Sequence, residues 1–189
     1  PAPIVEHDGQ SRPRQDNPDY ASMVKTVDWS VGDILAQLDE LGLTDNTVVI
    51  FFSDNGGLCT KAKPGPACNL PLRASKGWLY EGGLREPCVV RWPGVVEGGR
   101  TSDVPITAAD FLPTLVAATG TPPPAVEIDG KSFLGTLTRG EEPAARPLFW
   151  HYPHYGNQGG EPSSIITEND WKLIHYHEDG HDELYHVTT

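Results

Sequence analysis

Between residues 20 and 41 apolar side chains recur at three- and four-residue spacing: Tyr20, Met23, Val24, Val27, Val31, Ile34, Leu35, Leu38 and Leu41. That period predicts an amphipathic helix with one apolar face, stopped by Gly42. After a polar turn over 43–46 the pattern becomes a continuous run, Val48-Val49-Ile50-Phe51-Phe52. A β-branched and aromatic run of this kind predicts a strand buried on both faces, as in a parallel sheet covered by helices. A second apolar strand is predicted over 88–92, ended by Pro93-Gly94, with Cys88 as a small core residue. A second helix is predicted over 107–120, with Asp110 as N-cap, Pro113 in the first turn and Gly120 as C-cap. A short helix follows over 133–137. From Arg146 the chain reads as short strands over 147–152, 164–167, 171–176 and 183–187, with Glu178-Asp179-Gly180-His181 as a hairpin turn. Helix, turn and buried strand make an α/β unit, so the fold class is α/β for 1–145, followed by a small strand-rich part at 146–189.

The chemistry begins where the first strand stops, at Ser53-Asp54-Asn55-Gly56-Gly57. A carboxylate beside a carboxamide at the carboxyl end of a buried strand suits hard-cation ligation, because both offer oxygen lone pairs. In open α/β sheets ligand sites lie beyond the strand carboxyl ends. The same five residues are also ordinary turn chemistry.

The continuation makes the first reading the stronger. SDNGG is followed by LRASKGWLYEGGLREP (72–87), VVRWPG (89–94), FWHYPHYGNQGG (149–160) and a late DWKLI…ELY pattern (170–185). In that order these blocks resemble the sulfatase family of the alkaline-phosphatase-like superfamily, particularly bacterial arylsulfatase-type enzymes. The resemblance implies an alkaline-phosphatase-like sheet sandwiched by helices. Residues 1–145 would be the carboxyl-terminal part of the catalytic domain. Residues 146–189 would be an incomplete antiparallel carboxyl-terminal subdomain whose loops shape the substrate pocket. It implies Asp54 and Asn55 as ligands of one Ca²⁺ ion, with further ligands from an upstream part. It implies Lys76 as the catalytic lysine that contacts the sulfate, an ammonium offering three donors and a full charge where negative charge develops.

The family's nucleophile is a formylglycine made from a Cys or Ser in a C/S-x-P-x-R motif. Cys59, Cys68 and Cys88 are followed by Thr60-Lys61, Asn69-Leu70 and Val89-Val90, so no such motif occurs here. The expectation is therefore a sulfatase fragment, inactive by itself, from a longer enzyme acting on sulfate esters of sugars or aryl alcohols. Two alternatives stand beside it: a non-catalytic remnant or sugar-binding module, and a phosphoester or phosphonate hydrolase of the same superfamily. The latter usually holds two transition metals, and a single Asp-Asn pair fits one hard cation better.

His151 and His154 flank Tyr152-Pro153 before the loop at 156–160. They are candidates for reading sugar hydroxyls; packing at a strand end is the competing account. His7 reads as solvent-exposed, as do Lys61 and Lys63. Arg73 reads as a brace for its loop, pairing with Glu81 or Glu86. Cys59 and Cys68 would close a small disulfide in an oxidising compartment or stay free.

Charge and length bound the remaining possibilities. With 26 acidic against 14 basic residues, the net charge of −12 argues against a general nucleic-acid binder. An anionic sulfated partner then needs local positive charge, which a cation and Lys76 supply. No apolar stretch is long enough to span a membrane. A periplasmic or secreted location is what the resemblance implies.

Overall fold

The computed structural model describes residues 14–59 and 65–187. His7, Lys61 and Lys63 lie outside the described residues. The chain divides into two compact units. One comprises residues up to Leu41, Ile50–Val89 and the chain from Arg146. The other comprises Gly42–Val49 and Val90–Ala145.

In the first unit, helix α1 spans Pro18–Glu40. Asn17 caps it, its side chain accepting from the Asp19 and Tyr20 N–H groups, and Pro18 stands where its missing N–H costs nothing. Gly42 follows the end in the left-handed conformation, at φ 65°. Strands β1 (Val49–Phe52) and β2 (Cys88–Arg91), each at a point where the division between the units falls, pair in a two-stranded sheet, and the short helix α2 (Glu81–Leu84) precedes β2. The expectation of a strand buried on both faces is not met among the described residues: Phe51 and Phe52 are 39% and 45% exposed. Helix α1 likewise contributes no buried residue. Cys88, expected in the core, is exposed. An apolar run dictates that a strand forms, but the cover for its faces must come from elsewhere in a fold.

The carboxyl-terminal strands do find cover. β3 (Leu148–Tyr152), β4 (Ser163–Glu168), β5 (Trp171–Tyr176) and β6 (Asp182–His186) form a four-stranded antiparallel sheet in sequential order. β5 shows strict alternation, with Lys172, Ile174 and Tyr176 inward. Ile165, Ile174 and Tyr176 pack against Trp78 and Tyr80, joined by Trp150, Leu84 and Tyr185. The segment 73–84 and the late sheet thus share one core.

Lys172 is the inward residue that hydropathy does not predict. Its side chain is 3% exposed, and its ammonium donates to the Leu79 carbonyl at 3.0 Å and pairs with Glu81. Burial pushes its pKa below the ordinary lysine value, and the Glu81 charge opposes that shift. Removing one partner of a buried pair strands the other. Lys172→Ala is expected to cost about 3 kcal/mol in urea unfolding. Lys172→Met combined with Glu81→Gln should recover most of that loss, because neither charge is then left unpaired.

The second unit is built on helices α3 (Phe111–Thr119) and α4 (Leu134–Arg139). Pro113 lies in the first turn of α3, and Gly120 closes it at φ 65°. Asp110 is a cap of a different kind from the one expected. It forms a capping box with Thr107 around a preceding 3-10 turn, and it also accepts from the Lys131 N–H at 2.7 Å. Fully buried and doubly bonded, it holds the 130–133 turn against the start of α3. Phe111 and Phe133 meet edge to face above it.

Candidate active site

All the candidate residues fall in the first unit. β1 delivers its chain end at Ser53, whose N–H donates to the Pro87 carbonyl at 3.3 Å and whose hydroxyl donates to the Asn55 carbonyl at 2.9 Å. The turn is thereby fixed with Asp54 exposed and Asn55 half-buried. Gly56 must be glycine, because a Cβ there would overlap the Gly82 carbonyl. Neither the Asp54 nor the Asn55 side chain has a hydrogen-bond or ion-pair partner among the described residues. Glu86, expected beside Arg73, instead faces this turn: burial, then the Asp54 charge, raises its carboxyl above the usual range.

Oxygen donors of this type fit a hard cation. Calcium takes about six to eight oxygens, so Asp54 and Asn55 supply a share of a shell only. Among the described residues no group of three or more metal-ligating side chains forms.

Lys76 is exposed. Its backbone is tied in from two sides. Its N–H points at the Gly57 carbonyl over a long 3.5 Å, and Gly77 at φ 90° lies against Gln158 of the 156–160 loop. A Cβ on Gly77 would come within 2.6 Å of the Gln158 Cβ. Gly159 lies over the Trp78 indole, and Gly160 closes the loop by accepting from the Gly156 N–H at 3.1 Å. The turn after β1, the Lys76 segment and the late glycine loop therefore converge through backbone.

The two candidate histidines separate. His154 is exposed just ahead of the glycine loop, its ring edge-on to Tyr152 at 5.7 Å. His151 lies on the other face of the sheet from the core that carries 73–84. There its Nδ1 meets Ser164 Oγ at 2.6 Å, with His177 Nε2 on the same hydroxyl at 2.9 Å. His154 thus stands two residues ahead of the loop that packs on Gly77, and His151 lies on the outer face of the sheet.

Arg73 does brace its loop, with partners other than those expected. Glu81 is engaged by Lys172, and the Arg73 guanidinium instead lies over the Tyr80 ring at 3.8 Å and donates to the Tyr185 hydroxyl at 2.6 Å. Tyr80 donates to Glu183 at 2.7 Å and meets the Tyr176 hydroxyl at 2.7 Å. Burial pushes Tyr176 up to about 12 and Tyr80 higher still, so both hydroxyls keep their protons. Burial raises the Glu183 carboxyl, but the Tyr80 and Tyr185 hydroxyls and the Arg73 charge outweigh it, and its net pKa is lowered. A lowered carboxylate stabilises the fold above the unfolded pKa, and that contribution is lost as pH falls through the folded value. Stability is accordingly expected to fall as pH drops below about 4. Glu183→Gln should flatten that acid limb in unfolding measurements. An acid limb unchanged by the substitution would assign the loss to other carboxylates.

Cys59 and Cys68 are free thiols, so of the two possibilities for that loop no disulfide forms. Burial pushes the Cys59 thiol up, away from the reactive thiolate.

Comparison with known proteins gives the architecture first. The chain superposes on the crystal structure of Ps i-CgsB with TM-score 0.76 at 30% identity, over 93% of this chain and 38% of that one. It superposes on BT4656, solved with its substrate D-glucosamine-2-N,6-O-disulfate, with TM-score 0.72 at 27% identity, over 87% of this chain and 32% of that one. The fold is the alkaline-phosphatase-like α/β fold with its small antiparallel carboxyl-terminal sheet.

The sulfatase family matches over residues 2–121, and the carboxyl-terminal family of N-sulphoglucosamine sulphohydrolase matches over 74–189. A sulfatase of Formosa agariphila is 38% identical over 93% of this chain, and human arylsulfatase A is 36% identical over 74%. The chain belongs to the sulfatase family. It spans 34% and 27% of the length of those two relatives.

Proposed function

We propose that this chain is the later part of a sulfuric ester hydrolase whose substrate is a sulfated sugar or a related sulfated small molecule. The observation that carries the reading is the strand-end pair Asp54–Asn55, unpartnered among the described residues and joined through Gly57 to the segment bearing Lys76. Two relatives support the substrate class: human N-acetylgalactosamine-6-sulfatase, 38% identical over 70% of this chain, and BT4656 with its disulfated glucosamine.

Sulfatases as a family are metal-dependent. In this reading Asp54 and Asn55 contribute oxygens to one calcium ion, and the remaining ligands come from residues outside this chain. Bound calcium would neutralise negative charge on the sulfate oxygens. Lys76 donates from its ammonium to the sulfate and stabilises the charge that develops as the ester bond breaks. His154 and the 156–160 loop meet the sugar beside Lys76, while His151 stays on the far face of the sheet. Residues 1–145 belong to the catalytic domain and 146–189 to its carboxyl-terminal subdomain.

The formylglycine nucleophile would come from upstream. The exposed apolar side chains of α1, Met23, Val24, Val27 and Ile34, support this, since a larger domain would cover them. A periplasmic or secreted location belongs to the same proposal. Reading the gene upstream of Pro1 tests it. A C/S-x-P-x-R motif with further acidic residues is expected. A stop codon or an unrelated domain there would leave a half metal site without a nucleophile, and a non-catalytic binding module would replace the enzyme reading.

A further inference from the structure

Asn69 lies in the loop between the strand-end carboxylate and Lys76, and neither charge nor hydropathy marks it in the sequence. Its carboxamide nitrogen donates to carbonyls of three segments: Gly57 at 2.8 Å, Gly82 at 3.0 Å and Ala74 at 3.1 Å. Two hydrogens serve three acceptors, so one of these bonds is shared.

Two of these acceptors, Gly57 and Ala74, belong to segments that the proposed site uses, and the third anchors them to α2. Gly57 ends the turn that carries Asp54 and Asn55. Gly82 lies in α2, beside the Glu81 that holds Lys172. Ala74 stands two residues before Lys76 with φ 64°, a left-handed conformation for a residue with a Cβ. Strain of that kind persists where surrounding bonds over-determine it. The carbonyl of this strained residue is one that Asn69 holds. An aspartate of the same size would keep the shape and lose every donor.

We propose that Asn69 is a positioning residue: its carboxamide sets the register between the Asp54–Asn55 turn and Lys76, so that both address one sulfate group. The proposal rests on the reading of Lys76 as the sulfate-contacting residue. Asn69 itself touches no reacting group.

A double-mutant cycle in the longer protein separates positioning from general support. Asn69→Asp is expected to lower kcat for an aryl sulfate about 30-fold, with KM changed by less than about threefold, because small misplacements of a charge-stabilising group act in the transition state. In a Lys76→Ala background the same substitution should cost less than about threefold, since the group it positions is gone. Thermal unfolding of each variant accompanies the kinetics. Should Asn69→Asp fail to fold, Asn69→Gln carries the cycle, moving the donor by one methylene. A full 30-fold loss retained in the Lys76→Ala background, or wild-type kcat in the Asn69 variant, overturns the positioning role. Wild-type turnover by Lys76→Ala alone overturns the sulfate-contact reading and takes the Asn69 proposal with it.

Discussion

Lys76→Ala in the longer protein is expected to lower kcat for sulfate ester hydrolysis by about 10²–10³-fold, the usual cost of losing a preorganised donor to transition-state charge. The ammonium is exposed while its backbone is fixed at Gly57 and at the 156–160 loop, so the side chain can meet an incoming ligand from a held base. Loss of a donor that acts on developing charge falls on kcat, whereas loss of a surface charge would alter only salt dependence. Lys76→Arg should recover part of the rate, since it restores the charge in a different hydrogen-bonding geometry. Sulfate release measured over a range of substrate concentrations reads both parameters. Turnover within a factor of about two of wild type would make Lys76 an ordinary solvated lysine.

The second large effect is expected at the strand end. Asp54→Ala removes the carboxylate that, in the proposed function, this chain contributes to the cation. Apparent calcium affinity should fall by at least about 100-fold, more than is typical for residues that merely orient a ligand. Calorimetric titration of the metal-stripped protein reads the affinity directly. Turnover at limiting calcium should fall in parallel and recover in part at high calcium. Asp54→Asn, which keeps an oxygen and loses the charge, should lie between. Unchanged calcium affinity in Asp54→Ala would return the Asp-Asn-Gly-Gly segment to a turn of purely structural meaning.

Much of this architecture is legible in the sequence because local rules and tertiary structure agree. The α1 period and Gly42 at its end define a helix observed at Pro18–Glu40. The four late strands follow from their aromatic and β-branched composition, and each occurs within about two residues of its expected span. What remains hidden depends on partners distant in sequence. The burial of Lys172 depends on Glu81, 91 positions away, which supplies its counter-charge. Arg73 reads as paired to a near glutamate, but the tyrosine 112 positions on captures it.

Burial of β1 was inferred from composition, which reports what a strand needs and not what is present to cover it. His151 and His154, three residues apart, look equivalent in sequence. The alternation of β3 puts His151 on the outer face, and the strand ends before His154. Asn69 is the plainest case: one neutral side chain among turn residues gathers three carbonyls that only the folded loop assembles.

The central claim is that this chain holds half of a sulfatase site, with the charge-stabilising groups and without the nucleophile. Sulfate release from a sulfated monosaccharide, measured side by side for the longer protein and for the 189-residue chain in calcium, tests it most directly. The account predicts calcium-dependent turnover by the longer protein and none by the chain alone. Turnover by the isolated chain, or binding without hydrolysis by the longer protein, would contradict it.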